Sequence, residues 1–157
     1  MKYLGETFDI HAGGIDLQFP HHENEIAQSE GATGKLFAKT WLHGEFLKVD
    51  NEKMAKSLGN DFTLRDIINR GFKPTAIRYL LFSVPYSKQL NFTFEGLQGA
   101  ESTIERLQDF RRRLIEAKTE SGLNAEVERF ALDALREFET AMDDDLNTSQ
   151  ALAAIHN

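Results

Sequence analysis

The chain contains no cysteine among its 157 residues. This absence excludes disulfide bonds and leaves the redox compartment open, and it means that no thiolate of the chain itself can bind a metal ion. Long apolar runs are also lacking, and the first ten residues, MKYLGETFDI, have no apolar stretch of the kind that signal peptides carry. We therefore expect no membrane span and a cytoplasmic location.

Basic residues are in the minority: the chain has 18 Lys and Arg and 25 Asp and Glu, and its formal net charge is −7. This balance argues against a chain that coats nucleic acid by bulk electrostatics, although a local basic patch can still bind RNA. The hydrophobic content of 41% and charged content of 27% are typical of a globular protein. The length suits one domain, or a small domain with an appendage.

The pattern up to residue 95 predicts part of an α/β domain. Strands are predicted at ETFDIH, ending at the following AGG, and at KTWLHG and EFLKVD. A helix is predicted to begin at Pro20, and a polar loop is predicted at NEKMAKSLGND. Two further helices are predicted at 63–71 and at KPTAIRYLLFSV, the second ended by Pro85.

Beyond residue 95 the apolar residues recur at helical spacing. A turn at TESGLNAE is predicted to join two helices as an antiparallel pair, and a third helix begins at Asn147 or Thr148 and looks cut after about ten residues. We predict two domains, at 1–95 and 96–157. The apolar faces consist of Leu97, Ala100, Ile104, Leu107 and Leu114 in the first helix, and of Val127, Phe130, Ala134, Phe138 and Ala141 in the second.

Two glycines, Gly13 and Gly14, separate the first predicted strand from the helix that follows. Glycine lets the backbone approach a ligand closely, and the carboxylate of Asp16 could accept hydrogen bonds from the hydroxyl groups of a ribose. The alternative is a tight turn followed by a helix-entry residue, and spacing alone favours that alternative.

The segment HHENE contains a histidine and a glutamate, His21 and Glu25, four residues apart. On a helix these two side chains share one face and can bind the same metal ion, whereas the adjacent His22 points in another direction. The alternative is a solvated first helical turn whose acidic residues complement the helix dipole.

Lys53 and Lys56 lie three residues apart in a polar loop with Ser57 and Gly59. Such a loop can place two ammonium groups on a polyphosphate, where negative charge grows as pyrophosphate leaves. A solvated surface loop is the alternative.

Taken in order, the segments FDIHAGGIDLQFPHHENEIAQ, WLHG, KMAKSLGN and AMDDDLNT closely resemble the cysteinyl-tRNA synthetases, a family of class I aminoacyl-tRNA synthetases. The resemblance extends from about Phe8 to Thr148. It implies an α/β then all-α fold: a partial Rossmann-like catalytic domain with a stem-contact region, followed from about Gln98 by the start of a helical bundle. The HHENE segment is specific to this family and its nearest relatives, while many class I synthetases share the lysine signature.

On the amino-acid side, the resemblance implies that His21 and Glu25 are zinc ligands and that His11 lines the pocket. Zinc in this family recognises the thiolate of cysteine, which suits a thiophilic ion. The other two zinc ligands of the family are cysteines upstream of the residues present here. We therefore expect the chain to hold half of a zinc site.

On the nucleotide side, the resemblance implies that Gly14 and Asp16 contact the ribose of ATP and that His43 and Gly44 lie near the adenine. Lys53 and Lys56 match the mobile loop that binds the ATP phosphates, with Lys56 the better candidate for direct contact, and the residues after Ser57 resemble a segment beside the tRNA acceptor stem. The family's His-Ile-Gly-His-type motif for ATP lies upstream and is absent, so we expect a C-terminal part of a synthetase without its N-terminal half. Two residues depart from the family pattern: Ala12 replaces a glycine and Ala55 replaces the signature serine, which removes one hydroxyl donor.

The function implied is that of a cysteine–tRNA ligase, whose partners are tRNA(Cys), cysteine and ATP. One alternative is a related ligase that joins cysteine to an amino sugar in mycothiol synthesis. Another is a non-catalytic fragment that binds RNA or a partner protein through Arg106 and Arg111 to Arg113, although these arginines also suit a solvated helix face.

Overall fold

The computed structural model describes residues 2–118, 122 and 124–156. The chain divides into two compact units. The first unit comprises the residues up to Phe46 together with Tyr86–Gln89, and the second comprises Leu47–Pro85 and the residues from Leu90 onward.

The first unit contains a strand–helix–strand arrangement. Strands β1 (Phe8–Gly14) and β2 (Ala38–Gly44) pair in parallel, and helix α1 (Glu23–Thr33) lies between them in the chain. Parallel strands need a crossover connection of this kind. The helix ends at Gly34, whose φ of 67° closes the last turn in the left-handed conformation.

One sequence prediction in this unit is wrong at its boundary. Strand β1 does not stop before the glycines, because its pairing with β2 continues as far as Gly14 and Gly44. Helical backbone begins at Pro20, as predicted: Phe19 is extended (φ −137°, ψ 132°), as residues before proline tend to be, and the helical turn that follows leads into α1 at Glu23. A short helical turn at Ile15–Leu17 lies before Phe19.

The second unit contains a three-stranded sheet in the order β4-β3-β5. Strand β3 (Leu47–Val49) pairs antiparallel with β4 (Glu52–Lys53) and parallel with β5 (Leu90–Phe92). The segment predicted as a polar loop therefore contains β4 and a short helical turn at Lys56–Leu58, and β5 was not predicted. Three-residue strands such as β5 are too short to show an alternating pattern in the sequence.

The remaining elements of the second unit are helices: α2 (Leu64–Asn69), α3 (Pro74–Phe82), α4 (Phe94–Glu116), α5 (Ala125–Asp143) and α6 (Thr148–His156). Helix α6 confirms the prediction of a third helix that begins near residue 147. The Asn147 side chain accepts a hydrogen bond from the Gln150 amide at 3.2 Å. Val49, Ile67, Ala76, Ile77, Leu80, Phe92, Leu97 and Ala100 form the core of this unit.

The predicted antiparallel pairing of α4 with α5 is wrong for the described residues. Helix α4 packs on α3, and α5 packs on α6. The reason is that α4 buries residues near its beginning, such as Leu97, whereas α5 buries Ala141 near its end and leaves Val127 and Phe130 about 60% exposed. Half of the predicted TESGLNAE turn, residues 119–121 and 123, lies outside the described residues.

The order of an α/β part followed by helices is confirmed. The domain boundary at residue 95 stays a prediction. In the part of the chain that the structure describes, no helix combines the length and apolar character needed to span a bilayer.

Candidate functional site

The candidate site lies in the first unit, where β1 and β2 end side by side. His11 pairs in register with Trp41, and Gly13 pairs with His43. Because side chains alternate along a strand, these four residues share one face of the strand pair. Ligands of parallel α/β folds bind beyond the carboxyl ends of the strands, so the position itself indicates a binding site.

Glu25, in the first turn of α1, lies between two histidines. Its Oε2 atom is 3.0 Å from Nε2 of His11, and its Oε1 atom is 3.8 Å from Nε2 of His21. His21 and Glu25 are therefore neighbours, as predicted from their helical spacing of four residues. The His21 side chain is 60% exposed and that of Glu25 33%, so the pair is open to an incoming ligand.

One carboxylate oxygen of this cluster has no satisfied hydrogen bond. Oε2 of Glu25 is buried and makes no hydrogen bond among the described residues, although Nε2 of His11 lies 3.0 Å away. Buried carboxylate oxygens are normally paired, so this atom is a suitable ligand for a cation. The observation favours a metal-binding interpretation over a solvated helical turn.

His22, which the sequence prediction left out of the metal site, is the most buried residue of the cluster, with 3% of its surface exposed. Its Nδ1 atom lies 2.8 Å from Nε2 of His43, a hydrogen bond between two imidazoles. A Cβ atom on Gly13 would lie 2.6 Å from the His22 ring, so only glycine permits this packing. The signal in the sequence is the Gly-Gly pair, for which the sequence analysis offered close approach of a ligand or a tight turn and not the packing of a side chain.

The His22 imidazole is held in its neutral form. Burial lowers its pKa below the ordinary value, and the neighbouring His11 and His43 lower it further by charge repulsion. A neutral imidazole can donate from one ring nitrogen and offer a lone pair from the other. His11, His22 and Glu25 each offer a ligand atom, and these atoms lie within 4.8 Å of one another.

Trp41 forms an aromatic wall behind the cluster and was missed by the sequence analysis. Its ring centroid lies 4.6 Å from that of His11 and 5.0 Å from that of His22, and its plane is within 9° of the His43 ring plane. Trp41 and His43 are two residues apart in the WLHG segment, so they lie on the same face of a strand. This spacing is the signal by which the sequence could have indicated Trp41 as a site residue.

The residues predicted to contact ribose, Gly14 and Asp16, lie where β1 ends. Gly14 ends β1 opposite Gly44, and a Cβ on Gly14 would lie 2.4 Å from Oδ1 of Asp16, so the carboxylate lies directly against the backbone. Asp16 is exposed at a surface cavity of about 420 Å³. Ile15, Gln18, Phe19 and Glu23 complete the lining of this cavity.

The departure at Ala12 has no effect on the cluster. Ala12 is exposed and points away from the face that carries His11 and Gly13. A methyl group in place of hydrogen therefore meets no residue of the candidate site.

The predicted lysines belong to the second unit. Lys53 lies in β4 and Lys56 begins the helical turn that ends at Gly59, where φ is 65°. Both lysines are exposed, whereas Met54 and Ala55 between them are half-buried. The segment that carries Lys53 and Lys56 therefore has regular structure, a short strand followed by a helical turn.

The cluster fits zinc in part. Imidazole nitrogen and carboxylate oxygen are zinc ligands, and the unpaired Oε2 of Glu25 is suited to a cation. The chain has no sulfur donor to offer, since it contains no cysteine and zinc sites do not commonly use methionine. Spacing favours His21 as the partner of Glu25, and the geometry offers His11 and His22 in addition.

Comparison with known families gives two matches. Residues 1–102 match the family model for the tRNA synthetases class I (C) catalytic domain, and residues 137–157 match the DALR domain.

Individual proteins give the same picture. The cysteine–tRNA ligase of Solibacter usitatus is 57% identical over 155 residues, which cover 99% of this chain and 33% of that protein. The cysteine–tRNA ligase of Moorella thermoacetica is 48% identical, over 100% of this chain and 35% of that protein. The chain thus spans about a third of the length of these relatives.

A solved structure, the ternary complex of Agrobacterium radiobacter K84 agnB2 LeuRS with tRNA and LeuAMS, has a TM-score of 0.71 and 23% identity. The match covers 94% of this chain and 22% of that one, and it shows the class I synthetase fold.

Proposed function

Since the chain belongs to the cysteinyl-tRNA synthetase family of class I tRNA synthetases, we propose that it supplies part of the active site of a cytoplasmic cysteine–tRNA ligase. The observation that carries the proposal is the position of Glu25 between His11 and His21 at the carboxyl ends of two parallel strands. The substrates of the whole enzyme would be cysteine, ATP and tRNA(Cys).

On the amino-acid side, His21 and Glu25 would hold a zinc ion together with two cysteines from another part of the enzyme. Bound zinc would supply affinity for the thiolate of the substrate, since it favours deprotonated sulfur. His11 would line the pocket and, with Trp41, exclude water from it. The neutral His22 would keep the His43 ring in place through the 2.8 Å hydrogen bond.

On the nucleotide side, Asp16 would accept hydrogen bonds from the ribose of ATP, with Gly14 allowing close approach. His43 and Gly44 would lie near the adenine. Lys53 and Lys56 would contact the phosphates, where each ammonium group stabilises the charge that develops on the departing pyrophosphate.

The reaction would proceed in two displacements. The carboxylate of cysteine attacks the α-phosphorus of ATP, which forms cysteinyl adenylate and releases pyrophosphate. A hydroxyl of the terminal ribose of tRNA then attacks the acyl carbon, loses its proton and releases AMP. The residues of this chain contribute by positioning and by electrostatic stabilisation.

The amino-sugar alternative receives no support from the comparisons reported above, in which the named relatives are cysteine–tRNA ligases. Two of the four arginines named for the RNA-binding alternative form ion pairs within their own helix. Arg112 pairs with Asp109 and with Glu116, and Arg113 pairs with Asp109 at 3.2 Å. These intrahelical pairs are what a solvated helix face contains.

Exchange of pyrophosphate into ATP tests the proposed function. We expect cysteine-dependent exchange from a protein that also carries the upstream zinc cysteines and ATP motif of the family, and none from the 157-residue chain alone. The same extended protein should transfer cysteine to tRNA(Cys) and not to glucosaminyl-inositol. Exchange by the 157-residue chain alone, or transfer to the amino sugar, would contradict the proposal.

A further inference from the structure

The loop that presents the two lysines, residues 53–60 (the lysine loop), is closed by a single side chain. The carboxamide of Asn60 accepts a hydrogen bond from the Ala55 amide at 2.8 Å and donates one to the Lys53 carbonyl at 3.1 Å. These two bonds bridge the backbone on either side of Met54. Asn60 is half-buried, and the bond from the Ala55 amide is partly shielded from water, whereas the bond to the Lys53 carbonyl is exposed.

The backbone of the lysine loop adds its own turn bonds. The Leu58 amide donates to the Ala55 carbonyl at 3.0 Å, and the Gly59 amide donates to the Lys56 carbonyl at 3.1 Å. The left-handed Gly59 then returns the chain to Asn60. As a result, the position of Lys56 follows from Ala55, whose own amide is held by Asn60.

Met54, between the two lysines, anchors the lysine loop to the core of the second unit. Its side chain packs against the core of the second unit and lines an apolar cavity of about 250 Å³. The cavity is otherwise lined by Leu47, Phe62, Leu64, Ile67, Ile77, Leu81 and Phe92.

We propose that Asn60 is a positioning residue, which keeps the lysine loop in the shape that presents Lys53 and Lys56 to a triphosphate before the triphosphate binds. This inference rests on the proposed function. Lysine has a long flexible side chain, so fixing its backbone is the main way in which the protein can limit its range. Without the carboxamide, only a fraction of molecules would have the competent loop, and the apparent affinity for ATP would fall by that fraction.

The test uses the extended protein with Asn60→Ala, and Asn69→Ala as the matched control at an exposed position of α2. Two lost hydrogen bonds correspond to about a tenfold rise in KM for ATP. We expect kcat at saturating ATP and KM for cysteine to stay within about twofold, because the lysines and the amino-acid pocket are unchanged. A merely structural role would not confine the effect to KM for ATP, so an unchanged KM for ATP, or an equal loss in all three constants, would overturn the proposal.

Amide hydrogen exchange tests the two hydrogen bonds of Asn60 independently of catalysis. The Ala55 amide should exchange faster in Asn60→Ala and stay protected in Asn60→Asp, which retains an acceptor oxygen at the same position. Equal exchange at Ala55 in Asn60→Ala and the unmodified protein would overturn the bridge itself. If the unmodified extended protein lacked ATP-dependent activity but the variants showed this exchange pattern, the proposed function would be wrong. The two hydrogen bonds of Asn60 would still be supported.

Discussion

Replacing Glu25 with alanine in the extended protein is expected to remove its zinc and to lower cysteine activation by at least about 100-fold. Changes to residues that merely support metal ligands already cost 10- to 100-fold, and Glu25 is the residue that connects the cluster. One of its oxygens lies 3.0 Å from His11 and the other 3.8 Å from His21. Zinc content by atomic emission and pyrophosphate exchange measure the two effects.

Glu23→Ala is the matched control for this variant. Glu23 belongs to the same first turn of α1 and is exposed, so its loss changes the helix-end charge by the same amount without touching the cluster. We expect it to retain one zinc per chain, and zinc content is the control readout because Glu23 also lines the cavity beside Asp16. Retention of zinc and activity by Glu25→Ala would remove Glu25 from the site.

Replacing Lys56 with alanine is expected to lower kcat for pyrophosphate exchange by about 100- to 1,000-fold. Removing one donor that faces developing charge has an effect of this size, because the interaction strengthens in the transition state. The loss should appear in kcat, in contrast to the KM effect expected for Asn60→Ala. Lys118→Ala, at an exposed position after α4, should leave kcat unchanged, and a Lys56→Ala effect confined to KM would contradict a transition-state role.

The sequence predicted those features of the site that depend on local geometry. His21 and Glu25 are neighbours because helical residues four apart must be neighbours. Gly71 and the cap near residue 147 likewise placed α2 and α6. These features require no knowledge of which segments pack together.

The features that the sequence did not predict are tertiary. His22 was expected to point away from the site, yet the missing side chain of Gly13 allows it to pack beneath the cluster. The role of Asn60 depends on a loop that returns to its own start, and the pairing of α5 with α6 depends on which end of each helix is buried. No periodicity in the chain encodes these contacts.

Zinc K-edge X-ray absorption on the extended protein tests the central claim most directly, namely that this cluster is one half of a mixed zinc shell. We expect sulfur scatterers near 2.3 Å together with nitrogen or oxygen near 2.0–2.1 Å, including the multiple-scattering signature of imidazole. That signature should weaken when His21 is replaced by alanine. A shell of four sulfurs, or one whose imidazole scattering survives the loss of each of His11, His21 and His22 in turn, would contradict it.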